Sequence, residues 1–178
     1  MRRVYPKEER CINCHLCEVA CIVEHSQTKS VLNTFHVEGF RFNHEDSRSI
    51  PDPAAAQTAG RAKPVNRTHV DVHDGIFIST NCRHCAEADC VLACKNGSLY
   101  VDADGRVLVH EDKCVGCWMC VMACRYGAIR RNPRTQNVPE VQSNGINTHC
   151  DLCPDREQPA CVWICPTGAL VYEDRDQT

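Results

Sequence analysis

Residues 114 to 124 read CVGCWMCVMAC, a stretch with four cysteines separated by two, two and three residues. Thiols two residues apart can converge on one centre, so Cys114, Cys117 and Cys120 are expected to face a common metal. Cys124 lies about one helical turn after Cys120, so a helix here would carry its thiol away from that centre. A tetrahedral zinc site has no use for a displaced fourth ligand. The spacing predicts instead two neighbouring iron–sulfur clusters that exchange their fourth ligands.

The composition also favours bound metal. Sixteen of the 178 residues are cysteine, a proportion typical of disulfide scaffolds or metal proteins. The opening residues MRRVYPKEERC have no apolar stretch after the arginines, and no apolar run approaches the length of a membrane span. We therefore expect a cytoplasmic protein whose thiols stay reduced and available for metal. A net charge of −3 without a polybasic tract gives no sign of a nucleic-acid partner.

The sixteen cysteines form four groups with none left over, and each group begins C-x-x-C and ends C-x-x-x-C. Only the gap between these two parts varies, so the groups form an internal repeat. In chain order the groups are Cys11, Cys14, Cys17 and Cys21; Cys82, Cys85, Cys90 and Cys94; Cys114, Cys117, Cys120 and Cys124; and Cys150, Cys153, Cys161 and Cys165.

The residues around the groups repeat as well. The endings CKNGSL, CRYGAI and CPTGAL predict a short helix carrying the last cysteine, a glycine cap at Gly97, Gly127 or Gly168, and then a strand. The first group ends in CIVEHS, so its exit is expected to differ. Alternating apolar residues around Asp74-Gly75 and Asp104-Gly105 predict two β-hairpins.

Residues 75 to 131 resemble a complete bacterial two-cluster ferredoxin. One departure is that proline, which usually follows the last cysteine, is present only at Pro166, whereas Lys95 and Arg125 occupy the equivalent positions of the middle groups. The second and third groups would then share two clusters, which leaves the first and fourth groups to share two more. Pairing in chain order, the first group with the second and the third with the fourth, is the alternative. We prefer the nested pairing because the hairpin that links the middle groups is short and ferredoxin-like.

The ferredoxin exchange of fourth ligands then implies four [4Fe-4S] clusters, here named A to D. Their predicted ligands are Cys11, Cys14, Cys17 and Cys165 for cluster A; Cys21, Cys150, Cys153 and Cys161 for cluster B; Cys82, Cys85, Cys90 and Cys124 for cluster C; and Cys94, Cys114, Cys117 and Cys120 for cluster D.

Four groups in this order resemble the four-cluster electron-transfer subunits of the dimethyl sulfoxide reductase and formate dehydrogenase class, in which nested pairing is the rule. The stretches CHLCEVACIVEHS, CRHCAEADCVLAC and CVGCWMCVMACRYGAI are more similar still to the ferredoxin-like subunit associated with carbon monoxide dehydrogenase. Similar small subunits serve hydrogenases and tungsten aldehyde oxidoreductases. The resemblance covers residues 8–30 and 75–174.

The expected fold is therefore α+β, with two bacterial-ferredoxin-like modules of short helices and hairpins, one inserted into the other. The split module comprises residues 1–40 and 135–178, and the inserted module comprises residues 67–134. The Pro/Ala-rich residues 41–66 lie outside the resemblance and are predicted to form a surface loop, either idle or used to bind a partner.

The predicted function is electron transfer without catalysis. All cysteines are used as ligands, and the chain contains no nucleotide fingerprint or metalloprotease motif. The resemblance implies a wire between a catalytic subunit, of CO dehydrogenase, aldehyde oxidoreductase, formate dehydrogenase or hydrogenase type, and an acceptor such as a flavin or hydrogenase subunit. A free polyferredoxin shuttle and a zinc-bound scaffold are the alternatives.

Several other residues near the cysteines have both a simple and a functional interpretation. His15 and His84 are expected to lie beside the clusters or face solvent rather than replace a ligand. Trp118 and Trp163 are expected to pack over clusters and exclude water. The basic run RYGAIRRNPR would form either a solvated face or a docking patch for an acidic partner; it contributes Arg125, Arg130, Arg131 and Arg134.

Overall fold

The computed structural model describes residues 1–40, 64–132 and 146–175. The predicted insertion loop therefore lies almost wholly outside the described residues, as does Arg134. The described part has mixed α/β structure with short helices and two-stranded sheets. The strands are β1 (Arg3–Pro6), β2 (His69–His73), β3 (Ile76–Thr80), β4 (Leu99–Val101), β5 (Val107–Val109), β6 (Arg130–Asn132), β7 (Ile146–Thr148) and β8 (Leu170–Glu173).

Five α-helices accompany these strands, and only the first exceeds five residues. They are α1 (Leu16–Glu24), α2 (Val31–Asn33), α3 (Asp89–Leu92), α4 (Met119–Ala123) and α5 (Ala160–Ile164). Single turns of 3₁₀ helix cover Glu8–Arg10 and Glu111–Lys113, and α2 continues as a π-helical segment over Thr34–Glu38. Helices this short are not stable alone, so packing around the cysteine groups must hold them.

Both predicted hairpins are confirmed. Strands β2 and β3 pair antiparallel, with His73 opposite Ile76, and Asp74 and Gly75 at the turn both have positive φ. This conformation matches the Asp-Gly signal for a tight hairpin turn. Strands β4 and β5 also pair antiparallel, with Val101 opposite Val107.

Two further pairings join distant parts of the chain. Strand β1 runs antiparallel to β8, with Arg3 opposite Glu173 and Pro6 opposite Leu170. Strand β6 runs antiparallel to β7, with Arg130 opposite Thr148. The first pairing brings the segment before the first cysteine group beside the segment after the fourth. The second joins the strand after the third group to the strand before the fourth.

The predicted glycine endings are present, but the cysteine position needs one correction. Gly97, Gly127 and Gly168 have φ between 61° and 62°, and the N–H of each donates to the carbonyl of the preceding group's last cysteine. A strand follows each glycine, as predicted. The last cysteine, however, lies just after the short helix and not within it, because α4 ends at Ala123 and α5 ends at Ile164. The glycine therefore closes a separate turn that begins at the cysteine.

The buried core is built largely from the cysteine groups themselves. Apolar residues of the strands, such as Val4, Leu99, Val107, Ile129 and Leu170, pack against buried cysteines from all four groups. Val4 and Val107 are almost completely buried. The strands therefore form a thin apolar frame that holds the cysteine loops facing inward.

Candidate iron–sulfur sites

All four C-x-x-C loops have the same unusual backbone. The residue before the second cysteine has a left-handed conformation in each loop, with φ of 56° at Asn13, 45° at His84, 65° at Gly116 and 66° at Leu152. This conformation costs a non-glycine residue roughly 1–2 kcal/mol, so it is adopted only where the surrounding structure imposes it. Gly116 and Asn13 are of types that adopt this conformation readily, whereas Leu152 is not, so residue type alone did not predict the turn in all four loops.

The third cysteine of every group has an equivalent place on a helix. Each is the second residue of its helix, a regularity that does not depend on the length of the preceding loop. The four residues are Cys17 in α1, Cys90 in α3, Cys120 in α4 and Cys161 in α5. Left-handed His15 and Trp118 precede the helices of the first and third groups and turn the chain into them.

The cysteines predicted for cluster A lie around one open cavity, whose other walls include Val70 of β2, Ser79 of β3 and Leu170 of β8. The cysteine residues lining it are Cys11, Cys14, Cys17 and Cys165. The fourth of them comes from the opposite end of the chain, and the β1–β8 pairing brings it there.

The cysteines predicted for cluster D line a second open cavity, with Leu99 and Trp118 among its other walls. The cysteine residues are Cys94, Cys114, Cys117 and Cys120. Burial is the main reason that the pKa of Cys120 is raised to about 11, and the nearby thiols of Cys114, Cys94 and Cys117 add to the rise.

The cysteines predicted for clusters B and C lie close enough together that their charges raise one another's pKa. Burial raises the pKa of Cys82 to about 12, and Cys90, Cys124 and Cys85 raise it further. Burial likewise raises the pKa of Cys161 far above its usual value, with Cys21 and Cys153 as the next contributors. Cys150 has a raised pKa for the same reasons, burial first and then Cys161.

These pKa shifts indicate what the sites require. Thiolates packed together away from water repel one another, and only a strong positive charge among them makes the ionised form favourable. A metal centre supplies that charge, and soft thiolate ligands suit iron–sulfur clusters or zinc. Cavities lined by four cysteines fit the larger cluster better than a single ion.

Backbone N–H groups point at several of the sulfur atoms. His84 and Leu152 donate to Cys82 and Cys150 at 3.4 Å, each from within its own C-x-x-C loop. The Leu99 N–H reaches the Cys94 sulfur at 3.4 Å. The left-handed turn and the glycine turn both aim N–H donors inward, and such donors stabilise sulfur ligands that carry negative charge.

The Cys21 thiol has a different environment. Burial opposes its ionisation, but hydrogen bonds from His25 and from the Arg67 backbone, together with their positive charges, lower the pKa of Cys21 below its usual value. His25 also contacts Asp151, and Arg67 pairs with the same carboxylate. Sequence reasoning missed these three residues because they are brought together from distant segments.

His84 is fully buried and does not face solvent. Its Nδ1 accepts a hydrogen bond from the Val107 N–H at 3.0 Å, and the carbonyl of the same Val107 accepts one from His149 Nε2 at 2.9 Å. Burial lowers the pKa of His84 to about 3 and that of His149 to about 4, so both rings are neutral. His15, in contrast, is partly exposed and its Nδ1 lies 2.9 Å from Glu18 Oε2.

The two tryptophans have different environments. Trp118 lines the cavity of the cluster D cysteines, in agreement with a role in excluding water. Trp163 is 67% exposed and lies under the Arg156 guanidinium, so the expectation that it packs over a cluster is wrong. The helix carrying Trp163 turns this side chain outward while burying its neighbours Cys161 and Val162.

The basic run is mostly paired with groups of this same chain. Arg125 forms an ion pair with Asp89 at 2.6 Å, and Arg130 forms one with Asp71 at 3.0 Å. Arg131 stacks over the Trp118 ring, with its guanidinium carbon 5.2 Å from the centroid.

Comparison with known proteins identifies the class of these sites. Residues 73–175 match the family model described as a 4Fe-4S dicluster domain. An iron-sulfur protein of Rhodospirillum rubrum is 32% identical over an alignment of 182 positions, which covers 97% of this chain and 82% of that protein. The electron transport protein HydN of Escherichia coli K12 is 32% identical over an alignment of 187 positions, which covers 99% of this chain and 90% of HydN.

A third relative is the thiosulfate reductase electron transfer subunit PhsB of Salmonella typhi, which is 34% identical over an alignment of 176 positions that covers 96% of this chain and 74% of PhsB. These matches define an iron–sulfur protein of the electron-transfer class, associated with oxidoreductases. The chain belongs to the 4Fe-4S dicluster domain family. Within the three described ranges, no helix has the length and apolar character needed to cross a membrane.

Proposed function

We propose that this protein is a non-catalytic subunit that carries four [4Fe-4S] clusters and conducts electrons between a catalytic oxidoreductase subunit and an electron acceptor. The observation that carries the proposal is that four cysteines line each of two cavities, while cysteines of the other two proposed sets are close enough to raise one another's pKa. Each cluster would accept and donate single electrons, and the protein would hold it, exclude water and adjust its potential.

The proposed ligands are the four sets named above for clusters A to D, in nested pairing. The β1–β8 pairing supports a link between the first and fourth groups, because it brings Cys165 to the cavity of Cys11, Cys14 and Cys17. The β4–β5 hairpin supports the corresponding link between the second and third groups.

The proposed points of electron entry and exit are the regions around Cys14 and Cys117. These two cysteines are exposed, whereas the four cysteines proposed for cluster B are all buried. Electron transfer to another protein needs a redox centre near the surface, so the buried cluster would serve the interior of the wire.

A docked subunit is supported over a free shuttle by the apolar surface near the third group. Met122 of α4 is 84% exposed and Leu92 of α3 is 77% exposed, and the two helices pack against each other. Exposed apolar side chains on neighbouring elements are typical of surfaces that another protein covers. The paired arginines of the basic run contribute little net charge to such a contact.

The proposed catalytic partner is of CO dehydrogenase, aldehyde oxidoreductase, formate dehydrogenase or hydrogenase type, and the proposed acceptor is a flavin or hydrogenase subunit. The names of PhsB and HydN support the general role, because one is an electron transfer subunit of a reductase and the other an electron transport protein. The closer likeness to a CO dehydrogenase-associated subunit rests on the quoted sequence motifs.

The first experiment is anaerobic purification, followed by iron and sulfide analysis and by EPR before and after dithionite reduction. The expected result is about sixteen irons per chain with coupled signals appearing on reduction. Zinc without a reducible signal would overturn the proposal in favour of a metal-bound scaffold.

Paired cysteine variants would then test the nested pairing. C11S/C165S changes two proposed ligands of one cluster, so it should lose only about four irons, the content of one cluster. C11S/C94S changes ligands of two proposed clusters and should lose about eight irons. Pairing in chain order predicts the reverse for these two variants, because Cys94 would then complete the cluster of Cys11. N96A, within the same cavity as Cys94, is the control that should lose none.

A further inference from the structure

The first cysteine group departs from the repeat at its end, and this departure has a structural consequence. Where the other groups close with a glycine turn, α1 continues three residues beyond Cys21 to Glu24. His25 is the C-cap residue of α1. It comes four positions after Cys21 and therefore lies on the same face of the helix. The missing glycine thus places an imidazole against the fourth cysteine of the group.

His25 makes two sets of contacts from this position. Its Nδ1 donates to the Cys21 carbonyl oxygen at 2.7 Å and lies 3.7 Å from the Cys21 sulfur. Its Nε2 lies 3.2 Å from both carboxylate oxygens of Asp151. Both nitrogens thus face acceptors, which requires a hydrogen on each and gives the ring a positive charge.

Arg67 completes the arrangement from the segment before β2. Its backbone N–H donates to the Cys21 sulfur at 3.2 Å, while its guanidinium donates to Asp151 at 2.5 Å. Asp151 lies in the C-x-x-C loop of the fourth group and also accepts the Cys153 N–H at 3.0 Å. The carboxylate therefore holds two cations beside the sulfur, and the three side chains together carry one net positive charge.

Two of the corresponding cysteines, Cys94 and Cys165, have neutral hydrogen-bond partners. The Cys94 sulfur accepts a backbone N–H from Leu99, and the Cys165 sulfur accepts one from Ala169 at 3.2 Å and lies 3.8 Å from the Thr167 hydroxyl. A net positive charge beside the sulfur distinguishes Cys21 from these two cysteines.

We propose that His25 and Arg67, held in place by Asp151, raise the reduction potential of cluster B. This inference rests on the proposed function, because it takes Cys21 as a cluster ligand. Reduction adds one negative charge to a cluster, and hydrogen bonds and positive charge at its sulfur atoms stabilise the reduced form. Asp151 is a positioning residue, because it holds His25 and Arg67 in place. With a higher potential, the buried cluster B would retain electrons that pass through the protein.

The test is a potentiometric titration of the intact, cluster-loaded protein followed by EPR. The variants are H25Q and R67Q, each of which removes one positive charge; R67Q also leaves the backbone N–H in place. R106Q is the matched control, because Arg106 forms a similar ion pair with Asp102 in the β4–β5 hairpin. Arg106 is also buried to a similar degree, with its side chain 23% exposed against 27% for Arg67.

Both variants should shift one of the reduction steps, and the same one, to more negative potential. At a fixed applied potential the ratio of reduced to oxidised cluster should fall on the order of tenfold, which corresponds to ~59 mV for one electron. R106Q should leave that step unshifted. Pulsed EPR of protein labelled with ¹⁵N-histidine should show nitrogen couplings at the same cluster, and H25Q should remove the one that comes from His25.

Unshifted reduction steps in both variants, with iron content intact, would overturn this inference while leaving the electron-transfer proposal in place. A wild-type protein without reducible clusters would overturn the proposed function itself. If H25Q lost one cluster because of a folding defect, R67Q would still decide the question.

Discussion

At the residue scale, the cysteine loops depend on left-handed turns at positions that tolerate very different side chains. Leu152 is buried in this conformation, and the fully buried His84 adopts it as well. Both residues direct their own N–H toward a cysteine sulfur, so the cost of the backbone conformation is linked to the stabilisation of a ligand. The strained backbone conformation is retained because it points a backbone N–H at the cysteine sulfur.

The glycine turns offer a direct test of backbone conformation without a packing change. Gly127 has φ of 61°, and a Cβ built on it would meet no atom within 4 Å. G127A should therefore lower the free energy of unfolding by about 1 kcal/mol through backbone strain alone. G127N should cost less, because asparagine tolerates the left-handed region. Anaerobic denaturant titration followed by circular dichroism would measure both variants, and equal stability of alanine and wild type would contradict the prediction.

At the element scale, a buried carboxylate connects α1 to the β2–β3 hairpin. Glu18 is 1% exposed, and its carboxylate accepts the Val70 N–H at 2.7 Å across 52 residues of sequence. The hairpin forms one wall of the cavity that contains Cys17, so this hydrogen bond also positions the wall against the cysteines.

Removing the Glu18 carboxylate should leave the Val70 N–H buried without an acceptor. E18A should therefore lower the free energy of unfolding by about 2–3 kcal/mol. E18Q retains an acceptor oxygen and should cost clearly less. The same denaturant titration measures both variants, and an equal loss in the two would show that packing, rather than the hydrogen bond, is what Glu18 contributes.

At the scale of the whole molecule, the cysteine groups occupy the positions that large apolar side chains fill in other small proteins. Aromatic residues make up only 6% of the chain, and buried cysteines from all four groups belong to the core. The fold should therefore depend on its metal centres, as small metal domains generally do.

Removal of iron tests this dependence. Oxidant with a chelator should cause rapid proteolysis and loss of the native circular dichroism spectrum, because the remaining apolar frame is too thin to hold the cysteine loops together. Chelator without oxidant is the control, and reconstitution with iron and sulfide should restore protease resistance. A metal-free protein that stays resistant would show that the apolar frame is sufficient.

Local patterns predicted much of the secondary structure. Both Asp-Gly hairpins and all three glycine turns are present because their signals act within a few residues, where backbone preference decides the conformation. The iron–sulfur class was likewise predictable from cysteine spacing, and the family match agrees with it. Nested ligand pairing and the count of four clusters stay predictions.

The sequence by itself determined the chemistry of the protein, because the number, type and spacing of cysteines are local properties that specify thiolate-bound metal. Only the tertiary structure decided what surrounds each sulfur. His25, Arg67 and Asp151 are separated by up to 126 residues and meet at Cys21 through helix, strand and loop packing. The tertiary structure also decided the pairing of β6 with β7 and the outward orientation of the Trp163 side chain, because each depends on how distant segments pack.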